Sequence, residues 1–350
     1  MKWIQVGMLT AVGAAVLAAQ AKVPADEWND KGLAASARFD YVEAERDLGE
    51  SIRLWQEMGP QYEGHTAVVM MNLAEALCGQ GKWRQGASLL TKSLEVSRRA
   101  LGNRHLRTVS NLNFLAGADM ILGELETAAA LYREALGVER ELYPATTQLA
   151  DTLMGLSSYY ARENRMAEAL PPAEEGLQVA LAAGGEMTLD SAMAYANVAQ
   201  IHAFSHRPDR AIPLFTKAEA IYAKVLSPDH PRYASVLSQE GLALMDDHKL
   251  ALANRNMVRA VQILSNCAGC QYQQAVAVSN LGWLRYQEGK YGEADTLLSQ
   301  ALVLQESYAS QPGSEMAATL NRLADVRRKE RKYSDAEQLH NRALTLQSYR

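Results

Sequence analysis

Apolar positions along this chain fall in helical stripes that are cut at regular intervals. Between 67 and 99, Val69, Leu73, Ala76 and Leu77 follow one helix face, Gly79-Gln80-Gly81 interrupts it, and Trp83, Leu89, Leu90 and Leu94 resume it. The same helix, turn and helix return every 41 or 42 residues, most clearly in GKYGEADTLLSQAL from Gly289 to Leu302. Stepping from Ala294 lands on Ala44, Gly86, Ala128, Ala169, Ala211, Ala253 and Ala336, so eight small residues share one register without an insertion. A second small residue follows each mark by seven positions (Ser51, Ser93, Ala135, Gly176, Ala218, Ala260, Ala301, Ala343). A third precedes each by twelve (Gly32, Ala74, Ala116, Ser157, Ala199, Gly241, Gly282, Ala324). Such a period predicts stacked supersecondary units, and small residues at three registers let their helices approach closely. The expected fold is an all-α solenoid of about eight repeats, over 24–62, 63–104, 105–145, 146–187, 188–229, 230–270, 271–312 and 313–350.

The turn inside each unit has a chemical reason. Gly81, Gly123 and Gly289 share a register where a left-handed backbone ends the first helix without a Cβ penalty. Asn164 tolerates that conformation, whereas His206, His248 and Arg331 fit it less easily. Two residues on comes a slot for a large side chain (Tyr41, Trp83, Leu125, Met166, Leu250, Tyr291, Tyr333). Pro208 departs from it and predicts a distorted turn in the fifth repeat.

Composition agrees with many Ala/Leu helices, at 48% apolar and only 7% aromatic. A net charge of -5 with both signs interspersed offers no basic stripe, so nucleic acid is not an expected partner. Residues 1–21 combine Lys2, an apolar run from Ile4 to Leu17, and Ala19 and Ala21 around Gln20, the layout of a cleaved signal peptide. The alternative is an uncleaved anchor helix, but a crossing needs about 20 apolar residues and this run is shorter. Cleavage after Ala21 starts the mature chain at Lys22, in an exported compartment, with no stable membrane span. No Cys follows the site to carry a lipid.

The residues carry a family resemblance. Leu281-Gly282, then Gly289-Lys290-Tyr291, Glu293-Ala294 and Ala301-Leu302 resemble the tetratricopeptide repeat. The longer period is similar to the kinesin-light-chain type, as are the joints Leu101-Gly102-Asn103-Arg104-His105 and Leu226-Ser227-Pro228-Asp229-His230-Pro231 and the pairs Leu112-Asn113 and Leu320-Asn321. Repeat one departs most, with Lys31 and Phe39 where Leu and Gly are usual. The resemblance implies a right-handed α-solenoid of tetratricopeptide type that binds another protein or peptide along a concave face formed by the first helix of each unit. Asn72, Asn113, Asn197, Asn280 and Asn321 would line that face and could bond a peptide backbone, or could instead tie adjacent helices together. Glu75, Gln200 and Trp283 follow one helical turn on, then Met120, Phe204, Tyr286 and Arg328. Trp283 is either a groove anchor or a residue buried between repeats. The family's clamp for a C-terminal carboxylate is missing: its basic positions read Val68, Met71, Ser110, Ser235, Ser238, Val276 and Ser279, leaving Arg322 as the cation.

Cys267-Ala268-Gly269-Cys270 replaces the usual connection between repeats six and seven. It could be a redox pair, half a metal site or a local disulfide. Gln271 stands where covalent haem needs His, no second Cys pair completes a tetrahedral site, and no thioredoxin-type strand precedes it, which favours the disulfide. So short a loop contributes at most about 2 kcal/mol. Cys78 reads as a packing residue. His202 and His206 stand four apart, without a Glu beside the first or a third ligand, so no metal or other cofactor is expected. His105 and His230 sit in joints and read as structural. No phosphate loop, nucleophile elbow or paired-carboxylate motif rises above the periodic background, so the expectation is a scaffold rather than an enzyme. Its rivals are a thiol-disulfide protein acting through Cys267 and Cys270, or a subunit of a cell-envelope assembly.

Overall fold

The structure is a computed structural model that describes residues 23–308 and 314–348. The expected signal peptide, 1–21, lies outside the described residues. Among the described residues, sixteen α-helices succeed one another in pairs: α1 (Pro24–Ala37) and α2 (Tyr41–Glu57), α3 (Glu63–Gly79) and α4 (Trp83–Leu101), α5 (Leu106–Leu122) and α6 (Leu125–Leu142), α7 (Thr147–Arg162) and α8 (Met166–Gly184). There follow α9 (Leu189–Phe204) and α10 (Pro208–Val225), α11 (Pro231–Asp246) and α12 (Leu250–Ser265), α13 (Gln271–Gln287) and α14 (Tyr291–Tyr308), α15 (Ser314–Lys329) and α16 (Tyr333–Ser348). A short 3-10 turn, Pro60–Tyr62, sits in the first joint. No strand occurs among the described residues, and no described helix is long and apolar enough to cross a membrane.

The three small registers are where the helices meet. The eight marks and the residues twelve before them are almost all fully buried, from Ala44 to Ala294 and from Ala74 to Ala324. At Gly282 a Cβ would lie 2.9 Å from Leu298 Cγ, so the Leu298 side chain of α14 packs directly on the backbone of α13. Where the second register carries Ser, the hydroxyl ties the two helices of its own unit: Ser51 donates to the Ala25 carbonyl at 2.6 Å and Ser93 to that of Ala67 at 2.7 Å.

Every intra-repeat turn has the same left-handed residue, whether or not it is glycine. Gly81, Gly123 and Gly289 hold φ of 78°, 88° and 76°, and Phe39, Asn164, His206, His248 and Arg331 hold 53–62°. In each, the next residue's N–H returns to a carbonyl five positions earlier, as from Lys82 to Leu77 and from Lys249 to Leu244. The cooperative closure of both helices around this turn therefore overrides the steric reluctance of His and Arg. The distortion expected at Pro208 is absent: Pro208 opens α10 at its first turn, where its missing N–H has no helical partner to lose. The joint histidines cap helices, His105 Nδ1 accepting from Arg107 N–H and His230 Nδ1 from Arg232 N–H.

Curvature follows from which helices touch. Each odd-numbered helix approaches the next odd-numbered one, from α1 with α3 to α13 with α15, whereas no two successive even-numbered helices come together. The first helices of the units thus form the inner wall and the second helices the splayed outer wall. Ion pairs with long side chains span that outer wall, Arg98 to Glu134 at 2.6 Å and Arg140 to Glu175 at 2.6 Å.

Candidate peptide-binding groove

The asparagines of the inner wall are engaged with neighbouring repeats. Asn72 donates to Asn29 at 2.9 Å, Asn113 to Thr152 at 2.6 Å, Asn197 to Ser158 at 3.4 Å and Asn280 to Ser238 at 3.1 Å, each across about one repeat. Asn321 Oδ1 lies 2.9 Å from His340 Nδ1 within the last unit. Asn280 is only 5% exposed. Of the two roles open to these amides, the contacts made are those of ties between helices. Met120, at 6% exposure, packs in the core with Leu125, Tyr132 and Leu156 rather than facing the groove. Gln200 is partly exposed, and Phe204 stands at the end of α9, 48% exposed. The exposed Phe114 on α5 did not emerge from the sequence because its register is not one of the repeating small or large slots.

Towards the last repeats the wall becomes aromatic and cationic. Trp283 and Tyr286 stack with centroids 4.7 Å apart and planes 9° from parallel. Trp283 is partly exposed and belongs to no buried cluster, so it is not the inter-repeat core residue that was its alternative. Arg322 reaches back from α15, its guanidinium carbon 5.9 Å from the Trp283 ring, and donates to the Ser279 hydroxyl at 3.0 Å and the Asn280 carbonyl oxygen at 2.9 Å. Its two acceptors are neutral, and burial lowers its pKa to about 10, so the cation persists at neutral pH. A cation over an aromatic face with only neutral acceptors leaves room for an anionic or carbonyl-rich ligand.

The middle of the wall is acidic around one arginine. Glu75 and Asp151 are open to water in outline, yet desolvation raises both carboxyls. Asp151 is pushed up to about 6 by burial and then by Asp190. Exposure together with desolvation describes side chains inside a narrow concavity. Arg232, on the first turn of α11, acts across that space on Tyr41, Glu75, Asp151 and Tyr222, which belong to α2, α3, α7 and α10. Only a superhelix curled well round on itself lets one guanidinium reach four such elements. Arg232 was not singled out in the sequence, since its importance comes from curvature.

The other candidate chemistry is placed as follows. Cys267 and Cys270 are joined as a disulfide, with Cα atoms 5.3 Å apart. Burial first, then Glu75, pushes the Cys78 thiol up to about 12, a packing residue's environment. His202 is largely buried, and His206 turns away to Asp246 at 2.9 Å. No group of three or more metal-ligating side chains occurs among the described residues.

Fold and groove define a helical-repeat solenoid. Tetratricopeptide repeat family models match residues 65–141 and 191–232, so these two stretches of the solenoid match that repeat. Among solved structures it is similar to BtubC (BKLC) from P. vanneervenii, at 23% identity and a TM-score of 0.52, over 66% of this chain and 94% of that one. The apo form of the quorum sensor NprR from B. thuringiensis matches at 15% identity and a TM-score of 0.63, over 97% and 92% of the two chains. The Rap conjugation gene regulator of the plasmid pLS20, solved in complex with the Phr* peptide, matches at 12% identity and a TM-score of 0.67, over 88% and 79%. At these identities the likeness is one of fold. No curated protein matches the sequence.

Proposed function

We propose that this protein is an exported, non-catalytic scaffold that holds an extended segment of another protein along its inner wall. The observation that carries the reading is the partly exposed Trp283–Tyr286 stack beside Arg322, a large aromatic surface with a cation whose partners are neutral. The peptide complex of the Rap regulator supports it, as a fold of this shape holding a peptide. Export is supported by the signal-peptide layout of 1–21. A subunit of a cell-envelope assembly differs from this reading only in its partner. A thiol-disulfide protein is the alternative of another class, favoured by the partly exposed Cys267 of the disulfide.

The test begins with capture of partners from an envelope extract of the native host, using the chain and Trp283→Ala side by side, followed by calorimetry on the partner's segment. Trp283→Ala should weaken binding by about 2 kcal/mol or more with little change in melting temperature. Equal affinity in both proteins would place binding elsewhere. Loss of activity in Cys267→Ser/Cys270→Ser with the partner still held would favour the redox reading instead.

A further inference from the structure

Two departures from the repeat pattern, far apart in sequence, meet in space. Repeat one carries Phe39 where repeats two, three and seven have glycine, and the joint after repeat six carries Cys267-Ala268-Gly269-Cys270. Phe39 adopts the left-handed backbone of its turn, φ 62°, at a steric cost that glycine would avoid. Its ring lies edge-on to His230 of α11's cap, with centroids 5.7 Å apart, and joins the apolar cluster of Leu237, Ile263, Leu264 and Cys270. Gly269 comes so near that a Cβ there would sit 2.2 Å from the Phe39 carbonyl oxygen. Cys270 is fully buried and Cys267 partly exposed.

We propose that Phe39 and the disulfide-bonded joint form a clasp that closes the superhelix on itself, and that thiol reduction of Cys267–Cys270 opens it. The contact joins a turn to a joint rather than helix to helix, so it can part while every repeat keeps its neighbours. The disulfide confines the joint to the one shape that admits the Phe39 carbonyl over Gly269. Once it is cut, the glycine regains a wide choice of backbone conformations and the socket is no longer fixed. In the chemical step a thiolate of an external dithiol attacks the Cys267 sulfur, breaking the S–S bond, and Cys270 leaves as a thiolate and takes a proton. The dithiol's second thiol then displaces and releases Cys267. Both cysteines end as thiols, and the dithiol, having given two electrons and two protons, ends as a cyclic disulfide. Opening would also withdraw Arg232, two residues from His230, from Tyr41 and Glu75 of the first two repeats. The clasp thereby connects the redox state of the joint to the width and charge of the inner wall.

Hydrogen exchange and small-angle scattering on the full chain, with and without dithiothreitol and with reduction verified by mass, test this without any ligand, so the outcome is independent of peptide binding. Reduction should speed exchange in peptides spanning 35–45 by about ten-fold and enlarge the radius of gyration, while helicity is retained. Cys267→Ser/Cys270→Ser should show the open state without reductant. Phe39→Ala and Gly269→Val, which breach the contact from its two sides, should be open throughout and indifferent to reductant. Two results overturn the proposal: an unchanged radius and exchange in the verified reduced chain, or a response to reductant in Phe39→Ala and Gly269→Val equal to that of the unmodified chain.

Discussion

Glu240 on α11 ties three helices together, accepting from Asn256 at 2.6 Å and Thr216 at 3.1 Å and facing Glu219 of α10. Burial, then the neighbouring Glu240, pushes Glu219 up to about 9, so it keeps its proton at neutral pH and can donate it to Glu240. The folded chain therefore binds a proton that the unfolded chain, with an ordinary carboxyl, releases near 4.5. That contribution is complete below the unfolded pKa and is lost as pH rises towards 9, which means stability falls with rising pH across this window. Glu219→Gln, neutral at any pH, should lack this fall, so its stability relative to the unmodified chain should rise steadily from pH 5 to pH 9, read from thermal melts at both pH values. Parallel pH dependence in the two proteins would refute the shared proton. At this scale the sequence was partly legible. The ties of Asn113 and Asn197 to Thr152 and Ser158 span 39 residues, close to one period, so the partners were already in register. What the register did not contain was the reach of each amide, which depends on how closely adjacent inner helices pack.

At the scale of the element, the small residue in each first helix sets the crossing. Gly282→Leu would drive a side chain into Leu298 and Leu297, whose nearest atoms already lie 2.9–3.2 Å from a bare Cβ. Denaturant unfolding should show a loss of more than about 2 kcal/mol from this overpacking. A loss below about 0.5 kcal/mol would mean that α13 and α14 can slide apart freely. The helix pairs and turns were readable in the chain because their determinants are local: a small mark, a left-handed residue and a large slot two positions on. Pro208 misled for an equally local reason, since proline in a turn suggests distortion until the helix start is known to fall on it.

At the scale of the molecule, stability should behave as a sum of repeats and interfaces. A chain ending at Tyr308, without α15 and α16, should keep the helicity of its remaining repeats, and circular dichroism that showed nearly complete loss would contradict this. The clasp and the four-sided reach of Arg232 were invisible beforehand because they bridge several repeats, and small angles between neighbours must accumulate before they exist. The two walls differ in how they resist that accumulation. Inner helices touch and share short hydrogen bonds, whereas outer helices are spanned by exposed ion pairs such as Arg98–Glu134 and Arg140–Glu175, each worth little and screened by salt. In mechanical terms the molecule is a curved beam with a stiff intrados and a compliant extrados. Its bending axis lies near the asparagine ties, so a change of pitch leaves the groove's floor nearly unstrained and is absorbed on the face away from any bound segment.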